Sequence, residues 1–274
     1  MRKILAAPPA RPACQTAGRW RAGLGLLILS CAPVALGQSY STNFPATENP
    51  MSQGGAWLNG ATDGADWGDV RTTSNLAFGT TVSGAPPYND SIAALKGTWG
   101  ATQTACAIAY TVNQNSSIQE EVELHLRKTI SSHSSTGYEF DFRVTSDGSQ
   151  YMVIVRWNGA LNSFTNLTSI LTGPGIRNGD RICASAIGSN LAVYVNGVQV
   201  MTATDSTYTN GSPGIGFWNH GGTVANDADY GFSAFTAQSG SANFWTPPSV
   251  QSWGGGNSWA SSGGLSWNGS SSWN

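Results

Sequence analysis

Apolar and polar positions alternate along this chain in short runs, broken by Gly, Asn, Asp and Pro. A two-residue period marks strands with one buried face, and here it is sustained from Ser39 to about Ala237, predicting an antiparallel β-sandwich almost without helix. The clearest segments are Cys106–Val112, Gln119–Ile130, Tyr138–Thr145, Tyr151–Trp157, Arg181–Ile187, Leu191–Asn196, Val198–Thr204 and Gly214–Trp218. Asn196-Gly197, set between LAVYV and VQVMTA, predicts a two-residue hairpin, because a type I′ turn needs positive φ at both central positions. Ser212-Pro213-Gly214 and Arg177-Asn178-Gly179 read as further turns.

One pair of segments separates its residues sharply. In the first, Val122, Leu124 and Leu126 fall on one side, and Glu121, Glu123, His125 and Arg127 on the other. In the second, Tyr138, Phe140, Phe142 and Val144 point inward, and Glu139, Asp141 and Arg143 outward. Paired as neighbours, the two strands present four carboxylates, two arginines and a histidine on one solvent-facing sheet surface. Such a face has two readings. As a site, Arg and His neutralise a uronate carboxylate or take a proton beside it, while Glu and Asp bind sugar hydroxyls or act as an acid/base pair. As structure, cross-strand charge pairs contribute about 0.2–1 kcal/mol each and keep a sheet soluble.

Composition sharpens the contrast. Only 10% of the 274 residues are Asp, Glu, Lys or Arg, whereas Gly reaches 34 and Trp 11. Residues 1–22 are basic, and Gly23–Leu36 form a 14-residue apolar run ending in small residues, which predicts a signal peptide, residues 1–37, cleaved near Gly37. That run is shorter than the roughly 20 residues a span requires, so no membrane span is expected in the mature chain. Ile28-Leu29-Ser30-Cys31 also resembles a bacterial lipoprotein box, which would acylate Cys31. Removing Arg2, Lys3, Arg11, Arg19 and Arg21 with the leader leaves eight basic against fifteen acidic residues, a net of -7. A surface of that sign does not seek phosphate, so nucleic acid is not an expected partner.

Cys106 and Cys183 are the cysteines of the mature chain, and an even count in an oxidising compartment reads as one disulfide, the alternative being two buried thiols. The expected localisation is secreted, periplasmic or cell-surface. From Gln238 the chain turns to Gly, Ser, Asn and Trp, with Ser-Trp pairs ending at Trp253, Trp259, Trp267 and Trp273. Residues 238–274 therefore read as a low-complexity flexible tail with aromatic stickers, following a single domain at 38–237.

Further candidates lie in loops. Trp157, Trp218, His220 and Tyr88 sit at strand ends or in loops, where rings stack on pyranose faces or simply join the core. Asp63, Asp66 and Asp69 share one Gly-rich loop, and Asn226, Asp227 and Asp229 precede the last core strand. Either loop is a candidate for a structural calcium ion, and no other cofactor is expected. Signatures for a nucleophile elbow, a zinc protease, a phosphate loop or a dinucleotide site are missing.

The stretches GYEFDFRV, YMVIVRWNG and NGDRICASAIGSNLAVYVNGVQVMTATDSTYTNGSPGIGFW resemble the concanavalin-like, laminin-G-like jelly-roll domains of secreted bacterial proteins. The resemblance covers about residues 40–237 and implies a two-sheet jelly roll, a fold that hosts lectins, carbohydrate-binding modules, glycoside hydrolases and polysaccharide lyases. Laminarinase-like hydrolases carry E-x-D-x-x-E or E-x-D-x-E on one strand, whereas Glu121-Val122-Glu123-Leu124-His125 places His125 third. Alginate-lyase-like enzymes use an Arg/Glu strand, a Gln-x-His strand and a late Tyr. Glu123-Leu124-His125-Leu126-Arg127 is loosely similar to the first, and no Gln-x-His strand occurs. The expectation is a glycan-binding module without turnover. One alternative is a lyase or hydrolase with Glu121, Glu123, His125, Arg127 and Arg143 as catalytic candidates and Glu139, Asp141, Arg143, Trp218 and His220 holding polysaccharide. The other is an adhesive surface protein acting through its tail.

Overall fold

A computed structural model describes residues 37–80, 90–112, 120–144, 151–172, 175–219 and 227–240. The leader at 1–36 with Cys14 and Cys31, the loop residues Tyr88, His220 and Asn226, and the tail beyond Gly240 lie outside the described residues.

Within the described residues the strands are, in order, β1 (Ser39–Thr42), β2 (Trp57–Asn59), β3 (Gly68–Asp69), β4 (Arg71–Thr73), β5 (Leu76–Phe78), β6 (Ser91–Leu95), β7 (Thr102–Thr111) and β8 (Glu120–Ser131). There follow β9 (Ser134–Arg143), β10 (Tyr151–Gly159), β11 (Phe164–Asn166), β12 (Leu171–Thr172), β13 (Arg181–Ile187), β14 (Asn190–Val195), β15 (Val198–Thr204), β16 (Ser212–Asn219) and β17 (Tyr230–Gly240). They form two sheets: β15-β14-β13-β7-β17-β5-β4 with β1 on β17, and β11-β10-β9-β8-β16-β6-β2 with β12 on β10 and β3 on β6. All pairings are antiparallel except the short β3–β6 pair. The architecture is the expected all-β, two-sheet jelly-roll sandwich.

The core between the sheets follows from the alternation. Val122, Leu124 and Leu126 of β8, Tyr138, Phe140 and Phe142 of β9, and Ile215 and Phe217 of β16 enter one cluster with Ala105, Ala107 and Ala109 of β7 and Phe232 and Phe235 of β17. Small side chains on β7 leave room for rings from the other layer, which is how a sandwich reaches crystal-like packing density. Asn196 (φ 51°) and Gly197 (φ 84°) turn β14 into β15 as the hairpin reading requires. At Arg177-Asn178-Gly179, the Asp180 N–H donates to the Arg177 carbonyl at 3.0 Å, closing the expected turn.

Ser212-Pro213-Gly214 is not a turn; it opens β16. Ser212 pairs with Lys128 and Gly214 with His125 and Ala94, and the register shifts between Ser212 and Gly214. The extra residue lies on β8, where three steps from His125 to Lys128 face two from Gly214 to Ser212, and Pro213 falls inside that irregularity, where a proline is tolerated.

Cys106 and Cys183 stand opposite each other on β7 and β13 and are joined in the expected disulfide. It sits on the outer face of the first sheet beside Ala192 and Tyr194 and links positions 77 residues apart. On a chain-entropy basis such a closure stabilises the fold by about 4.5 kcal/mol.

Candidate functional site

The two charged strands pair as expected. Antiparallel register sets Glu121 opposite Arg143, Glu123 opposite Asp141 and His125 opposite Glu139. On the other side of β8, β16 sets Trp218 opposite Glu121, Gly216 opposite Glu123 and Gly214 opposite His125. On the other side of β9, β10 brings Val153 to Asp141 and Val155 to Glu139. One face of the second sheet thus gathers the acidic and basic groups in rows that cross four strands.

That face is not wet, contrary to the alternation's simplest reading. Glu121, Glu123, His125, Glu139, Asp141 and Arg143 are only 0–8% exposed. Apolar groups surround them: Val153, Val155 and Trp157 of β10, Ile92 and Ala94 of β6, Ile130, and Ala65 and Trp67 from the β2–β3 connection form one cluster. Trp67 meets Trp157 edge to face at 5.1 Å, and the His133 N–H donates to the Gly64 carbonyl at 2.8 Å, anchoring that connection. Trp157 is therefore buried, as the core reading had it, but on the sheet's outer side.

Arg127 is a second correction. Strict alternation puts it on the charged face, but Leu126 pairs with Tyr138 and Thr129 with Thr136, so Arg127 and Lys128 together oppose Gly137. Arg127 takes a left-handed backbone (φ 52°), and a Cβ on Gly137 would lie 2.6 Å from the Arg127 carbonyl oxygen. The extra residue turns Arg127 toward the other sheet. Its Nε donates to the Ala101 carbonyl at 2.9 Å, Nη1 to Tyr208 O at 2.8 Å, and Nη2 to Ala101 O at 2.7 Å and Gly188 O at 2.9 Å. Lys128 takes the vacated place, with Nζ 3.6 Å from Glu139 Oε2 and 5.5 Å from the centre of the Trp157 ring. Lys128 was missed because alternation without a bulge buries it among Val122, Leu124 and Leu126, an environment that should itself have signalled a break in the pattern.

At the centre lies His125. Its Nε2 is 3.1 Å from Glu123 Oε2 and 3.0 Å from Glu139 Oε2, and Nδ1 has no hydrogen-bond partner. Burial lowers its pKa to about 4, the Lys128 charge adds to this, and Glu139 opposes it, so the ring is neutral at neutral pH. Glu139 behaves in the opposite sense to its neighbours: burial would raise it, but Lys128 and then His125 hold it at about 2. Burial and then the surrounding negative charge push Glu121, Glu123 and Asp141 well above the usual carboxylate range. Asp90, next to β6, is raised to about 8 by burial and by Glu139, partly offset by Lys128. The arrangement sets Glu139 between His125 and Lys128, within a group of buried carboxyls whose burial and mutual repulsion oppose ionisation.

The acidic loop uses its carboxylates separately. Asp63 Oδ2 accepts from the Asn59 N–H at 2.6 Å, Asp66 Oδ1 meets His133 Nδ1 at 2.7 Å, and Asp69 accepts the Thr62 N–H at 2.8 Å and its hydroxyl at 2.7 Å. Asp229 lies in the 3₁₀ turn Asp227–Asp229, where its carbonyl accepts the Val112 N–H at 2.9 Å; the Asp227 side chain is outside the described residues. Among the described residues, Glu123, His125 and Glu139 bring their donor atoms within 4.8 Å of one another.

No family model and no curated protein matches the chain. The solved structures it is similar to are concanavalin-like jelly-roll proteins. They include the family 66 carbohydrate-binding module from Bacillus subtilis, at 15% identity over 69% of this chain and 96% of that one, with a TM-score of 0.45. A β-agarase A in complex with oligoagarose is 15% identical over 74% and 92%, with a TM-score of 0.47. Lectin II from Ulex europaeus is 10% identical over 74% and 98%, with a TM-score of 0.42.

Proposed function

We propose that the protein is a secreted glycan-binding module without catalytic turnover, and that polysaccharide docks on the row Trp218–Glu121–Arg143–Tyr151. The single observation that carries this reading is the composition of that row. Trp218 pairs with Glu121 and Glu121 with Arg143 across β16, β8 and β9, and the Arg143 guanidinium lies 6.0 Å over the Tyr151 ring on β10. Trp218 and Tyr151 are both partly exposed, so two accessible aromatic rings flank the buried Glu121 carboxyl and Arg143 guanidinium at one end of the face. Rings offer flat apolar surface to pyranose C–H groups, and the positive charge of the guanidinium beneath them favours a uronate carboxylate over a neutral sugar.

Absence of turnover is supported deeper in the same face. Paired glycosidase carboxyls stand about 5–5.5 Å apart when retaining and about 6.5–9.5 Å when inverting, with substrate or water between them. Here Glu123 and Glu139 close on a single imidazole nitrogen at 3.1 and 3.0 Å and are buried. The disulfide agrees with an oxidising compartment, and the leader reading supplies the route out of the cell.

Affinity electrophoresis in gels containing neutral or uronate-rich polymers tests the row. Trp218→Ala is expected to weaken retention about tenfold, the scale of losing an interface aromatic. Arg143→Gln is expected to weaken retention on uronate polymers and spare neutral ones. Unchanged retention in both variants, with melting temperatures like the parent's, would remove the row from the account.

A further inference from the structure

We propose that Glu123, His125 and Glu139 bind a divalent first-row transition-metal ion. The site stands independently of the glycan row, since it uses different side chains, further into the face.

Convergence is the first support. Glu123 and His125 lie two apart on β8 and so share a side, and register places Glu139 opposite His125. Both carboxylate oxygens, Glu123 Oε2 and Glu139 Oε2, approach the same atom, His125 Nε2, at 3.1 and 3.0 Å. Ligands at about 2.0–2.2 Å from a tetrahedral ion sit about 3.3–3.6 Å apart, so the two nitrogen–oxygen gaps need open by only a few tenths of an ångström, while the two carboxylate oxygens, within 4.8 Å of each other, adjust by side-chain rotation.

Hydrogen bonding does not satisfy this arrangement. An imidazole nitrogen holds either one proton or one lone pair, and cannot serve two carboxylates well. Glu139 Oε2 indeed has no hydrogen-bond partner despite its closeness to His125 and to Lys128, and its side chain is only 6% exposed. Lys128 Nζ, 3.6 Å away, offsets the charge of this oxygen without donating a hydrogen bond to it, and a buried acceptor left so is costly. Asp141 Oδ1, next in the same face, is likewise buried and unpartnered.

Charge and space agree. Asp90, Glu121, Glu123, Glu139 and Asp141 are five buried carboxyl groups, against the two cations Lys128 and Arg143 on the same face. A divalent ion reduces that imbalance without requiring every remaining carboxyl to hold a proton. Gly216 supplies the room: a Cβ there would lie 2.0 Å from Glu123 Oε2 and 2.8 Å from His125 Nε2, where the donor atoms meet. One imidazole with two carboxylates suits zinc, manganese, iron or cobalt, whereas calcium and magnesium prefer all-oxygen shells.

The test uses the full chain, stripped with a chelator and titrated with ZnCl2 by calorimetry and with CoCl2 by visible absorption. Expected are saturable zinc binding at about one ion per chain, ligand-field bands from cobalt, and a rise in melting temperature that chelator reverses. Histidine NMR of the cobalt form, which needs no variant, is expected to show one imidazole strongly shifted by the paramagnetic ion. His125→Gln and Glu139→Gln should each weaken zinc binding at least tenfold, and Asp63→Asn should leave it unchanged. Absence of saturable binding in the parent, or binding that survives both His125→Gln and Glu139→Gln but falls with Asp63→Asn, overturns the proposal. Glycan retention in the metal-free protein is read in the same preparations, so the failure of one account is visible apart from the other.

Discussion

Replacing Arg127 by methionine is expected to lower the unfolding free energy by about 3–5 kcal/mol and the melting temperature by roughly 10 °C. The guanidinium donates to three carbonyls at the end of the sandwich, those of Ala101, Tyr208 and Gly188, and the residue is 1% exposed. Methionine fills much of the same volume and carries no donor, so four charge-assisted bonds from a buried side chain to the Ala101, Tyr208 and Gly188 carbonyls are lost together. The backbone N–H of Arg127 also donates to Gln103 Oε1 at 2.8 Å, and Gln103 Nε2 donates to Gly211 O at 2.7 Å. Arg127→Lys should recover only part of the loss, because an ammonium lacks the planar fork that reaches carbonyls on separate loops. Chemical denaturation measures this, and a loss below about 1 kcal/mol would mean the guanidinium is not the clamp between the sheets.

Gly216→Ala is expected to destabilise the fold by about 1–3 kcal/mol and to move Glu123 away from His125. The added methyl would fall 2.0 Å from Glu123 Oε2 and 2.7 Å from His125 Cε1. Glu123 is flexible at its end, so the carboxyl yields rather than the backbone, and its contact with the imidazole is what is lost. Gly214→Ala is a useful contrast: there the methyl meets the Ala93 carbonyl oxygen at 2.3 Å, so β6 must shift against β16 while the histidine contacts are spared. Melting curves with histidine NMR separate the two. A Gly216→Ala protein with parental stability and an unmoved His125 signal would contradict the packing described.

Where alternation was regular, the sequence was informative. Arg181–Ile187 and Val198–Thr204 match β13 and β15 end to end, and the Asn-Gly turn between β14 and β15 follows from residue chemistry alone. The charged pair of strands and its partner residues were also legible, since one period governs both. What failed is local. The two-residue bulge at Arg127 and Lys128 reverses sidedness halfway along β8, and nothing in a strict period announces it except a lysine assigned to the core. The last core strand expected after Asp229 has no legible bounds in the sequence, because Tyr230–Gly240 mixes aromatics with Gly, Ser, Ala and Thr; β17 is held by β7, β1 and β5 rather than by its own pattern, and runs past Ala237. Burial of the charged face was illegible too, because Trp67 reaches it from a connection more than fifty residues away in sequence from Glu121. The same long-range packing turned a presumed solvated charge ladder into a closed polar cluster.

The most direct measurement exposes the purified protein to a panel of neutral and uronate-rich polysaccharides, recording retention, unsaturated product and reducing ends in the same wells. Binding on the Trp218–Arg143 row predicts retention on at least one uronate-rich polymer and no product from any. Product from any polymer would contradict the account by making the buried carboxylates an active site, and retention on none would contradict it by leaving the row without a ligand.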